Sequence, residues 1–341
     1  MRSRAFGGLR LTSVAALATL LLGSAAVAAS PAPLYRLAAT IPLGVPDRWD
    51  YVVFDPGSKR VFVAHGDRVD VADPATAKLV GAIRGIPGGT HGIAIAARAG
   101  RGYTDDGKAG RAISFDLRSL AVTKSLPADT DADAIAFDPA SGHVFVVSGD
   151  PGVVTVIDPV ANVVAASVHV GEKLEYVVSG GDGKVYVSGN GDGDLVRIDA
   201  ETNAVDAHWP LAGCDKPKGL AYDRRFQRLF VSCVNDSLVV VNANTGSEVA
   251  KLAIGRGTDA AAFDPVRRRV FSSNRDGTLT VISQEGPDRY SVLGTVATQP
   301  SGRTMAVDPA TGRLYIAAAV VNPATGLVPG SLKLLIYKPS R

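Results

Sequence analysis

The sequence predicts an all-β protein: a single seven-bladed β-propeller of four-stranded blades, with an N-terminal strand closing the last blade. Three observations carry this reading. A short pattern recurs seven times, its anchor aromatics standing at Phe62, Tyr103, Phe145, Tyr186, Phe230, Phe271 and Tyr315. Their mean spacing is about 42 residues, the period of a four-stranded blade. Within each copy, short β-branched runs alternate with Asp, Pro, Gly and Asn, the signature of strands joined by tight turns.

The N-terminus reads as a processing signal. Arg2, Arg4 and Arg10 form a positive region, residues 11–22 a short apolar run, and Ala26-Val27-Ala28 a small-residue cleavage pattern. Residues 1–28 are therefore expected to be a secretory signal peptide, and 29–341 the propeller. The apolar run is too short to span a bilayer, and no later stretch reaches ~20 apolar residues, so no membrane span is expected. No cysteine adjoins the cleavage site, and Ser3 separates Arg2 from Arg4, which argues against a lipid anchor and a twin-arginine signal. The mature protein is expected to be periplasmic or secreted, after cleavage near Ala28.

The formal charge of +3 comes from this segment, which carries three Arg and no acid. Beyond it, 33 basic residues balance 33 acidic ones. The apparent basicity therefore gives no reason to expect nucleic acid or an anionic membrane as partner. Length alone would allow two domains, but a repeat that runs to both ends argues for one.

Next along the chain, Tyr35–Leu43 reads as a lone strand ending in Gly44, as the outer strands of later copies end in Gly171 and Gly255. The first copy sets Val53-Phe54-Asp55-Pro56 before Val61-Phe62-Val63. The second, built on Ile93-Ala94-Ile95 and Tyr103, lacks the F-D-P turn. In the third, strands are expected at 134–137, 144–148, 153–157 and 163–170. The fourth is again degenerate, with Tyr176-Val177-Val178 before Tyr186. The fifth and sixth set Ala221-Tyr222-Asp223 before Phe230 and Ala262-Phe263-Asp264-Pro265 before Phe271. The seventh has strands at 304–308, 313–319 and 332–337 and then ends, so the lone N-terminal strand is expected to pair there and remove an open edge. The recurrent Asp residues (55, 73, 116, 138, 158, 199, 223, 264 and 308) are read as turn caps rather than ligands, because Asx side chains bond their own backbone.

Three copies, Tyr186-Val187-Ser188-Gly189-Asn190, Phe230-Val231-Ser232-Cys233-Val234-Asn235 and Phe271-Ser272-Ser273-Asn274, resemble the YVTN-repeat β-propellers, specifically the YncE-like exported bacterial proteins. Each is followed by a Gly/Asp turn and a V-x-V-type strand. The resemblance covers the whole mature chain and implies the fold. Similar blades serve binding proteins, surface proteins, enzyme subunits and lactonase-like enzymes, so it leaves the activity open.

Motifs for common catalytic chemistries are missing: there is no G-x-S-x-G, HExxH, P-loop or CxxCH. Gly191-Asp192-Gly193-Asp194 resembles part of a calcium loop but lacks the later acidic ligand and reads as a turn. The repeat supplies a sharper signal. Four residues before the strand-a aromatic, where the chain meets the channel mouth, stand Asp50, His91, Asp133, Lys218, Asp259 and Arg303. The fourth copy offers Leu174 by strict count and Glu175 after a one-residue adjustment. Lys218, Asp259, Arg303 and Asp50 alternate in sign and read as a mutually neutralising network. Asp133 and Glu175 are adjacent acids, and the loops of the same face add His65 and Asp106. His65, His91, Asp133 and Glu175 form the candidate set for a divalent metal, or for an acid and base. Trp49 and Tyr51 flank Asp50, Trp49 reading equally as blade packing or as a stacking platform. Cys214 and Cys233 fall on one face of blade five and are expected to form a disulfide in an exported chain.

Three functions fit. The first is an exported, monomeric binding or scaffold protein that uses Asp50, His91, Asp133, Glu175, Lys218, Asp259 and Arg303 for a small ligand or a protein partner. The second is a metal-assisted lactonase or lyase in the channel mouth. The third, an electron-transfer subunit, has no cofactor motif behind it.

Overall fold

The computed structural model describes residues 33–340, with Met1, Gly7 and Gly8. The signal segment expected at 1–28 otherwise lies outside the described residues. Seven four-stranded antiparallel sheets follow one another along the chain. Blade one runs from Val52–Asp55 to Lys78–Ile83, blade two from Ile93–Ala96 to Val122–Pro127, and blade three from Ala132–Phe137 to Val163–His169. Blade four runs from Leu174–Ser179 to Ala204–Pro210, blade five from Pro217–Asp223 to Glu248–Ala253, and blade six from Thr258–Asp264 to Tyr290–Ala297. Each innermost strand packs on the next, and that of blade seven packs on that of blade one, so the ring is closed.

Blade seven is made from both ends of the described chain. Thr304–Asp308, Arg313–Ala318 and Lys333–Pro339 supply its inner strands, and Tyr35–Pro42 is the outermost. The pairing runs from Tyr35 opposite Pro339 to Pro42 opposite Lys333, with a bulge between Leu37 and Ala39. The expected closure is therefore present. Among the described residues, no helix is long and apolar enough to cross a membrane.

The seven anchor aromatics are all buried on second strands. Buried apolar side chains fall into seven clusters, one for each blade-to-blade interface. Each buried anchor contributes about 2 kcal/mol of apolar burial to its interface. Near the axis the packing is tighter, which explains the small residues there: a Cβ on Gly219 would lie 2.3 Å from the backbone nitrogen of Ala261 on the next blade. The recurrent aspartates cap turns. Asp55 accepts the Ser58 amide at 2.9 Å, Asp138 that of Ser141 at 2.8 Å and Asp199 that of Thr202 at 2.8 Å. Residues 190–193 form a turn before Asp194 opens the third strand of blade four.

Candidate functional site at the channel mouth

The innermost strands of blades three to six share an irregularity. Register shifts lie between Ala132 and Ile135, Leu174 and Val177, Pro217 and Leu220, and Thr258 and Ala260. One extra residue is thereby left without a ladder partner, and the first residues of these bulges are Asp133, Glu175, Lys218 and Asp259. The structure resolves the ambiguity in blade four. Val178 lies opposite the anchor Tyr186, as Ala136 lies opposite Phe145, so Ser179 occupies the place of the aromatic Phe137. Counting back four residues from Ser179 gives Glu175, while Leu174 is buried between blades.

Asp50, Asp133, Glu175, Lys218, Asp259 and Arg303 line one polar cavity of about 120 Å³, together with Tyr51, Tyr176, Arg275 and Thr304. His91, the remaining ring position, stands within electrostatic reach of Asp50 and Asp133. Its Nδ1 lies 2.7 Å from the buried carboxylate of Asp105, which also accepts the His91 backbone N–H at 2.8 Å. Arg48 Nη2 lies 3.1 Å from Nε2. Burial opposes the charge of His91, but Asp105, Asp133 and Asp50 raise its pKa to about 9. The acids favour the protonated ring, whereas Arg48, which can only donate, favours a neutral ring that accepts at Nε2.

One arc is neutralised. Lys218 pairs with Glu175, whose second oxygen accepts the Asn190 amide at 2.7 Å. Arg303 Nε lies 2.8 Å from Asp259 Oδ2, and Arg275 donates to the same oxygen at 3.1 Å. Arg303 also reaches Asp50 at 3.9 Å and donates to the Trp49 carbonyl at 2.8 Å. Its guanidinium lies 5.2 Å from the centre of the Trp49 ring, which is itself packed in the interface between blades seven and one. Trp49 is thus a packing residue that carries Arg303.

The other arc differs from its sequence reading, because Glu175 belongs with Lys218. That leaves Asp133 as the acid without a cation bonded to it. Its Oδ1 is buried with no hydrogen-bond partner. Burial raises Asp133 well above the usual carboxylate range; Asp50 adds to the rise and His91 opposes it. Burial likewise pushes Asp50 up to about 6, against the pull of Arg303.

The metal set of the sequence reading, His65, His91, Asp133 and Glu175, is not brought together. His65 is fully buried within blade one. Its Nδ1 lies 2.6 Å from Asp70 Oδ2, and its Nε2 meets the Pro46 carbonyl, so both ring nitrogens are engaged. The 43–46 segment packs on the end of that strand, Arg68 donating to the Val45 carbonyl at 2.9 Å, which the repeat alone does not reveal. Asp106 caps a turn, accepting the amides of Gly88 at 3.3 Å and Ala109 at 3.1 Å. Cys214 and Cys233 are joined by a disulfide with Cα atoms 5.3 Å apart, buried between blades four and five.

Asp105 and Arg275 carried no signal as site residues in the sequence. Tyr176 could have been found from the bulge, since it follows the ring residue Glu175 as Tyr51 follows Asp50. Fold and site together define a β-propeller with a small, charged cavity at its channel mouth. No protein-family model matches the chain, and no curated protein sequence matches it.

Proposed function

We propose that this is an exported binding propeller of the YVTN-repeat type, which takes the cationic head group of a small ligand into its channel mouth. The observation that carries the reading is Asp133: a buried carboxylate oxygen without a partner, facing a polar cavity beside Asp50. An ammonium group supplies the missing donor, and its charge favours the ionised form of Asp133 that burial disfavours. The cavity of about 120 Å³ is well below the 300–1,000 Å³ of sites that enclose whole drug-sized ligands. It suits a head group, the rest of the ligand remaining on the funnel face. Lys218, Arg275 and Arg303 across the ring are already paired with Glu175 and Asp259. They favour a ligand whose anionic or polar part lies on their side. Export is supported by the arginine-flanked N-terminal apolar run and by the Cys214–Cys233 disulfide, which suits an oxidising compartment.

The test is a thermal-shift and calorimetric screen of small primary and quaternary amines, with small carboxylates as controls. Amines are expected to stabilise the wild type, and Asp133→Asn to weaken their binding 10- to 100-fold, the worth of a hydrogen bond to a charged group. Amine binding that Asp133→Asn leaves unchanged overturns the assignment.

A further inference from the structure

We propose that Glu172, Asp194 and His208, on the rim of blade four, form a binding site for a divalent transition-metal ion of the zinc class. Among the described residues these three make the one group whose ligand atoms all lie within 4.8 Å of one another. His208 Nε2 is 2.7 Å from Glu172 Oε1 and 2.8 Å from Asp194 Oδ2. A single ring nitrogen carries at most one hydrogen, so it serves two carboxylates poorly. A dication serves all three atoms.

The local build favours a site over a chance encounter of surface charges. The side chain of Glu172 is only 5 % exposed, and its second oxygen accepts the backbone N–H of Asp192 at 3.2 Å. It is seated against Gly189, where a Cβ would lie 2.3 Å from Glu172 Oε2. Blades three, five and six carry Ser148, Cys233 and Asn274 at the position of Gly189, each opposite the first residue of the innermost strand. Of these four blades, only blade four has glycine there, leaving room for the Glu172 carboxylate. The same pairing puts Ser167, Lys251 and Thr295 where His208 stands. Blade four thus departs from its sister blades at both positions together. Asp194 and His208 are diagonal neighbours, since Asp194 lies opposite Pro210, and such pairs are within reach of long side chains.

The donor set selects the metal. One imidazole and two carboxylates suit zinc and its neighbours better than calcium or magnesium, which take oxygen ligands throughout. With metal–ligand bonds of ~2.1 Å, tetrahedral ligands stand ~3.4 Å apart. The present separations of 2.7 and 2.8 Å must therefore open by roughly 0.6 Å. His208 is 45 % exposed and free to make that movement. Solvent completes the coordination. The only cysteines are joined in a disulfide, so no thiolate competes for the ion.

The experiment is calorimetric titration of the purified, metal-stripped protein with zinc chloride, and separately with calcium chloride. One zinc ion per chain is expected, with calcium binding at least 10-fold weaker. His208→Ala should lose 10-fold or more in zinc affinity, as should Asp194→Asn, while both keep the wild-type circular dichroism. His143→Ala, in the first turn of blade three, should bind as the wild type does. Gly189→Ala should weaken zinc through displacement of Glu172, without removing any ligand. Absence of a zinc equivalent, wild-type affinity in His208→Ala, or calcium binding as tight as zinc overturns the site. Amine binding in the channel mouth is a separate readout and does not bear on it.

Discussion

Tyr51 of blade one and Tyr176 of blade four meet with ring centroids 4.9 Å apart, and the Tyr51 hydroxyl donates to the Glu175 carbonyl at 3.3 Å. The two blades stand three apart in a ring of seven, so the contact spans the channel axis. Each ring lies one residue further along the innermost strand than its acidic neighbour, Asp50 or Glu175. The pair therefore forms part of the cavity wall beside these carboxylates. Both tyrosines line the cavity of Asp50 and Asp133, the two acids whose burial raises them.

Tyr176→Ala should open that wall. Asp50, held near 6, is expected to titrate closer to the ordinary carboxylate range, because water then reaches it. Carboxyl-carbon NMR titration reads the change directly. An Asp50 midpoint that stays near 6 in the variant would assign its rise to Asp259 and the other ring charges instead. The lost aromatic pair costs about 1 kcal/mol beyond its buried area.

The His91–Asp105 pair should make stability depend on pH. His91 has a folded value of about 9, against 6.5 for the ordinary imidazole. A raised value means that the folded state holds the proton more tightly. The contribution is complete below pH 6.5 and is lost as pH rises through 9. By linkage the difference is worth about 3 kcal/mol. Urea midpoints at pH 6.5 and 9 should therefore converge in His91→Gln, whose amide can still donate to Asp105. Equal slopes in variant and wild type would show that the imidazole is neutral throughout and that Arg48 donates to it.

Much of this was legible in the sequence, for a physical reason. Blades are stabilised by repeated local solutions, the Asx turn and the buried aromatic of the second strand, and each leaves a residue-level signature. Ring closure was legible because an unpaired strand at one end matched a missing one at the other. Blade four resisted, since Tyr176-Val177-Val178 imitates the first-strand pattern one residue out of step, and only the pairing of Val178 with Tyr186 sets the register. Side-chain pairing was not legible at all. Nothing local says that Asp105 will hold His91, that Lys218 will take Glu175, or that Glu172 will turn toward His208. These contacts depend on how the folded strands and turns are set beside one another.

The disulfide should matter for stability more than for the ring's geometry. It closes a loop of 19 residues around the first turn of blade five, for which chain-entropy reasoning gives about 3 kcal/mol. Thiol titration of the unfolded, unreduced protein should find no free thiol. Reduction should lower the thermal midpoint by several degrees. Two free thiols, or an unchanged midpoint after reduction, would remove the bond from the stability of the native state.

The closing strand should be the most sensitive element of the fold. Tyr35 is 1 % exposed and packs edge-to-face on the anchor Phe271, with ring centroids 5.5 Å apart, and Arg269 lies over its face. It thereby ties the outer strand of blade seven to blade six as well as to its own sheet. Tyr35→Ala should cost about 3–5 kcal/mol, the range for large aromatic truncations in cores. Removing residues 29–44 should cost more, because it also strips the backbone partners from Lys333–Pro339 and exposes a seven-residue edge. An exposed edge of that length pairs with other chains, so the truncated protein should associate as concentration rises. Thermal unfolding and size-exclusion chromatography at two concentrations measure both effects. A truncated protein that melts with the wild type and stays monomeric would mean that the ring is held by its blade interfaces alone, and that the N-terminal strand is dispensable.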